Sequence, residues 1–108
     1  MAYRVILTRR AERDLQDVAR WWAAERSVEQ ANRWLNGFDE KLRSLSQSPT
    51  RCPLAAENAD FVCELRELHY GLGRRPTHRA IFSIAEDLVL VLAVRHLAQD
   101  RLQPDDIV

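Results

Sequence analysis

The sequence predicts an α+β domain in which a helical hairpin packs on one face of a small, mainly antiparallel four-stranded sheet, in the order β-α-α-β-β-β. Three observations carry that expectation. Two long stretches near the start repeat their apolar residues at helical spacing with almost no linker between them. The second half instead holds three short runs of strand-forming residues. At 108 residues the chain suffices for one compact domain, 1–108, and is too short for two.

Residues 3–8, YRVILT, alternate Tyr3, Val5 and Leu7 against Arg4, Ile6 and Thr8, as a first strand does. Thr8 stands where a helix N-cap belongs, and Ala11, Leu15, Val18 and Trp22 follow on one face of a helix over residues 9–25. Ser27 with Gln30 three residues on gives a capping-box signature for a second helix, whose apolar series is Ala31, Trp34, Leu35, Phe38, Leu42 and Leu45. That helix is expected to end near Ser48, because Pro49 disfavours helical dihedrals in the residue before it. A linker of one or two residues around Arg26 and Ser27 forces the helices antiparallel.

The apolar stripes of the hairpin need a cover, and residues 61–68, 78–85 and 88–95 supply it as three strands, with Glu86-Asp87 as the turn between the last two. LVLVLAV is nearly all apolar and fits a central strand touched on both faces. Leu15, Val18, Trp22, Trp34, Leu35, Phe38, Leu42, Ile81, Leu90 and Leu92 are the expected core. The stretch from Pro49 to Asp60 reads as a surface loop, and the sheet face away from the helices as open. No internal repeat or low-complexity segment interrupts this plan.

Charge and composition narrow the function. Sixteen basic residues balance sixteen acidic ones, so the chain as a whole lacks the footprint of a general nucleic-acid binder. No run approaches the roughly 18 apolar residues of a membrane span, and the opening residues lack the layout of a secretory signal. A cytoplasmic protein is expected. Cys52 and Cys63 form no C-x-x-C pair and read as ordinary thiols. The spacing of His69, His78 and His96 matches no metal motif, so no metal or cofactor is expected.

Functional residues concentrate in FVCELRELHYGLGRRPTHRAIFSI, residues 61–84. Arg66 and Arg79 either face a ligand or pair with Glu64, Glu67 or Glu86. Arg74 and Arg75 with His78 crowd one loop, as a docking surface or as plain solvated residues. His69 lies beside the glycine-rich turn, and His96 closes the last strand. Trp21 sits one residue, about 100°, off the apolar stripe of the first helix, where a large aromatic either anchors a partner or folds over the hairpin edge.

LTRRAERDL, ELRELHYG, HRAIFSI and LVLVLAVRHLAQD, in that order, resemble the RelE/ParE superfamily of toxins from type II toxin-antitoxin systems. The resemblance covers almost the whole chain and implies a small toxin neutralised by a cognate antitoxin, with operator DNA reached only through that antitoxin. It implies one of two activities: ribosome-dependent mRNA cleavage, as in RelE-like members, or inhibition of DNA gyrase, as in ParE-like ones. As a ribonuclease the chain would draw on Arg66, His69, Arg79 and His96, with Arg95 beside them. The ending LAQDRLQPDDIV has no Tyr and one cation, Arg101, against three aspartates, which departs from the ribonuclease pattern. The resemblance is therefore closer to ParE-like toxins, with Trp21, Arg66, Arg74, Arg75 and Arg79 as expected contacts for antitoxin or target.

Overall fold

The computed structural model describes residues 2–99 and 101–104. Strand β1 (Arg4–Leu7) leads into helices α1 (Arg9–Glu25) and α2 (Val28–Arg43), and strands β2 (Leu65–Tyr70), β3 (His78–Ala85) and β4 (Leu88–His96) follow. The strand order is β1-β4-β3-β2, with β1 parallel to β4 and the other two pairings antiparallel. The apolar LVLVLAV run is thus an inner strand, as its composition requires.

Both helices begin at the expected caps. Thr8 Oγ1 accepts the Ala11 N–H at 3.1 Å, and Ser27 Oγ accepts the Gln30 N–H at 3.0 Å. The Trp22 carbonyl accepts from Arg26 and Ser27 together, which closes α1 and turns the chain within two residues. Helix α2 ends earlier than the sequence suggests. It stops at Arg43, a 3₁₀ turn over Ser44–Ser46 follows, and Ser48 enters the left-handed region at φ 48° before Pro49.

Thr8 has a second task. The register of β3 against β4 shifts between Ile81 and Phe82, leaving Leu92 as an extra residue. Thr8 donates its hydroxyl to the Leu92 carbonyl at 3.0 Å, and Asp14 Oδ2 accepts the Val94 N–H at 2.9 Å, so α1 supplies partners for the main-chain groups that the irregularity frees.

Between hairpin and sheet lie Leu15, Trp34, Phe38, Leu42, Leu45, Phe82, Val89, Val91 and Val94. Of the expected core, Leu15, Trp34, Phe38, Leu42, Ile81 and Leu92 are buried, while Val18, Trp22, Leu35 and Leu90 are partly buried against the clusters. Gly37 lets the sheet meet α2 closely, since a Cβ there would overlap the Tyr70 hydroxyl. Tyr70 in turn stacks on Phe38 at 4.5 Å and stands edge-on to Trp34 at 6.1 Å.

The face away from the helices is not open, which corrects the expectation from sequence. Leu65, Ile81, Leu92 and Ala93 are buried there beneath Ala55, Phe61 and Leu102. Strands with apolar residues on both faces need this second cover, and the polar-looking loop and the segment after β4 provide it. The loop also caps the edge of β2, through Ala55 N–H to the Leu65 carbonyl and Glu67 N–H to the Pro53 carbonyl. With 61–64 in this crossing, β2 starts at Leu65 instead of Phe61. No helix of the described residues is long and apolar enough to cross a membrane.

Candidate functional site

Strand register decides which candidate residues meet. His69 pairs with Arg79 and Arg79 with Arg95, placing these three on the face away from the helices. Tyr70 pairs with His78 and His78 with His96 on the other face, beside α1 and α2. The two histidines suited to proton transfer, His69 and His96, are therefore on opposite sides of the sheet.

Arg79 was expected on an open face; instead it is buried. Its Nη1 and Nη2 donate to Glu57 Oε1 and Oε2 at 2.7 and 2.5 Å, and Nη1 also reaches Glu67 Oε1 at 3.4 Å. Glu57 is wholly buried and accepts the Leu102 N–H at 2.8 Å as well. Burial alone would push its carboxyl up, but the hydrogen bonds from Arg79 and Leu102 prevail and hold it below the ordinary carboxylate value. Arg66 is also engaged, donating to the Cys52 and Thr50 carbonyls at 2.6 and 3.3 Å and pairing with Glu64 at 3.0 Å. Both arginines staple the covering loop to the sheet.

His69 stays exposed, with its Nε2 against Glu67 Oε2. Across the sheet, His96 Nδ1 accepts the Ala98 N–H at 3.0 Å, which leaves Nε2 to carry the proton of the neutral ring. His78 is buried edge-on to Trp34 at 5.2 Å and to His96 at 5.0 Å. Burial and the neighbouring His96 push its pKa down to about 4, so it is neutral at physiological pH.

Two concave surfaces flank α1. A groove of about 920 Å³ between the helices and β1 has Leu7, Leu15 and Leu35 for apolar walls and Arg9, Arg13 and Asp39 at its rim. It adjoins a smaller hollow of about 300 Å³ that shares Leu7 and Asp39 and runs along Val5 and Leu42. Because Arg4 and Thr8 direct their N–H groups to β4, the main-chain groups of Val5 and Leu7 face outward along this edge. A separate pocket of about 510 Å³ lies between the C-terminal half of α1, with Val18, Trp21 and Trp22, and the sheet end at Thr77, His78 and His96. Arg74 and Arg75 are exposed in the neighbouring loop, as the sequence suggests.

The model of the ParE toxin of the type II toxin-antitoxin system parDE matches residues 5–101. The chain belongs to the ParE toxin family. Among solved structures, the ParE-family chain is similar to one from the chromosomal ParDE system of P. aeruginosa, with a TM-score of 0.71, 18% identity, and 88% of this chain and 96% of that one covered. It is also similar to a chain of the RelBE2 toxin-antitoxin complex from Mycobacterium tuberculosis, with a TM-score of 0.58, 27% identity, and 89% and 99% covered. Comparison with curated proteins returns no significant match. Within this ParE fold, sequence reasoning missed Glu57 and Asp14, polar residues that no periodicity marks. The aspartates of the ending, Asp100, Asp105 and Asp106, lie outside the described residues.

Proposed function

We propose that this toxin acts in the cytoplasm by binding DNA gyrase, and that a cognate antitoxin neutralises it. The observation that carries this reading is the separation of the candidate catalytic groups. Cleavage of RNA by 2′-hydroxyl attack requires an acid, a base and cations converging on one phosphate. Here His69 and His96 stand on opposite faces, and Arg66 and Arg79 are consumed by the covering loop. The alternative, a ribosome-dependent mRNA endonuclease, would have to work from His69 and Glu67 at the edge strand.

The antitoxin is assigned to the groove beside β1. Outward main-chain groups at Val5 and Leu7 accept an added strand, and the apolar walls between α1 and α2 accept an amphipathic segment that orders on binding. The similar solved structures, a ParDE system and a RelBE2 toxin-antitoxin complex, support such a partner. Operator DNA is then reached only through the antitoxin, in keeping with the balanced charge. A supercoiling assay with purified gyrase tests the reading: the toxin should inhibit, and added antitoxin should relieve the inhibition.

A further inference from the structure

The pocket at the C-terminal half of α1 shares no lining residue with the groove assigned to the antitoxin. We propose that it is the seat for the target protein, taking one bulky apolar side chain whose neighbouring carboxylates meet Arg74 and Arg75. This rests on the reading that toxicity comes from binding a protein.

The walls favour an apolar occupant. Trp21 is 51% exposed although its ring is fixed edge-on to Trp22 at 5.3 Å, so little side-chain freedom remains to be lost on binding. Leu97, next to His96, adds a further exposed apolar group. Most polar groups of the lining are already engaged, Thr77 Oγ1 with His78 Nδ1 at 2.8 Å, His96 Nδ1 with the Ala98 N–H, and Asp17 with Arg20 at 2.6 Å, while the buried Trp22 Nε1 has no partner among the described residues. The volume of about 510 Å³ is ample for an aromatic side chain.

Charge specifies what surrounds that side chain. Arg74 and Arg75 precede Thr77 of the lining by three and two residues, within roughly 10 Å of chain. They are exposed, and neither meets a carboxylate among the described residues. The one acidic side chain of the lining is occupied by Arg20. An apolar anchor beside acidic residues complements this arrangement, whereas a basic segment would be repelled at its rim.

The test compares wild type with Trp21→Ala and with the double charge reversal Arg74→Glu/Arg75→Glu. Three quantities are measured: growth arrest on expression without antitoxin, inhibition of purified gyrase, and affinity for the antitoxin of the same parDE pair. With thermal unfolding unchanged, Trp21→Ala should raise the concentration needed for gyrase inhibition by about 30-fold, as loss of an interface hot spot does. The charge reversal should weaken inhibition about 10-fold at low salt and less at high salt. Antitoxin affinity should stay within about 3-fold of wild type in both. Growth arrest is blind to the target, so a wild type that arrests growth without inhibiting gyrase overturns the gyrase reading alone, and the pocket then stands or falls by whether both variants relieve arrest. Retained arrest in both variants overturns the pocket as a target seat, as does loss of antitoxin affinity in Trp21→Ala.

Discussion

Arg79 on β3 and Glu57 in the covering loop meet through two hydrogen bonds, of 2.7 and 2.5 Å, with both side chains almost wholly removed from water. The pair fixes the loop and, through the Leu102 N–H, the segment after β4 onto the sheet. A buried charge that loses its partner costs about 3–5 kcal/mol. Glu57→Gln and Arg79→Met should each lower unfolding stability in urea by about 3 kcal/mol. Glu57→Gln combined with Arg79→Met should cost well below the sum of the single changes, because neither buried charge is then left without the other. Additive losses would show that the two residues act independently.

His78 makes stability depend on pH. A histidine in the unfolded chain takes its proton near pH 6.5, and folded His78 takes its own at about 4. Between these values the unfolded chain binds more protons, so stability is full above about pH 6.5 and falls as the pH is lowered towards 4. The loss at pH 4.5 should be about 2 kcal/mol by denaturant titration. His78→Gln should remove this part of the dependence. The low pKa of Glu57 adds a further loss only at more acidic pH, below the ordinary carboxylate value.

Gly37 reverses the usual preference of a helix interior. Glycine to alanine within a helix ordinarily adds up to about 1 kcal/mol of stability. At Gly37 the new methyl would overlap the Tyr70 hydroxyl, on a ring held by Phe38 and Trp34. Gly37→Ala should therefore destabilise by about 1–3 kcal/mol. Adding Tyr70→Phe should recover only part of this, because a ring carbon still lies 3.1 Å from the added Cβ. Urea titration of the three variants checks the order.

Asp14 binds α1 to β4 at the register shift. Asp14→Ala leaves the Val94 N–H without its acceptor and should cost about 1–3 kcal/mol, and Asp14→Asn should recover most of it, since an amide oxygen still accepts. Hydrogen exchange at the Val94 amide reads the same bond directly and should quicken in the alanine variant.

The elements legible in the sequence were those written as a period. The stripes from Ala11 to Trp22 and from Ala31 to Leu45, with caps at Thr8 and Ser27, mark the two helices because a single face repeats every three or four residues. Trp21 stood out by its offset from that stripe, and it is indeed half exposed. The second cover of the sheet was not legible. Ala55, Glu57 and Leu102 belong to irregular segments that bury isolated residues, and a lone glutamate in a polar loop carries no sign that an arginine 22 positions on will meet it. The apolar run of β4 did signal burial on both faces, but it did not say what would supply the second layer. The division of histidines between faces follows from the register alone, which pairs His78 with His96 and leaves His69 beside Arg79.

The central claim is that toxicity comes from binding gyrase and not from proton transfer to or from RNA. It is tested most directly by adding purified toxin, as wild type, His69→Ala and His96→Ala, to a gyrase supercoiling reaction and to translating ribosomes carrying a defined mRNA. The account predicts that all three folded proteins inhibit supercoiling and leave the mRNA intact, with His69→Ala within about 3-fold of wild type because His69 lies away from the proposed target seat, and His96→Ala weaker by about 10-fold at most because one wall of that seat is trimmed. Uninhibited gyrase, together with mRNA cleavage that falls about 10²- to 10⁴-fold in one of the two histidine variants, would contradict it.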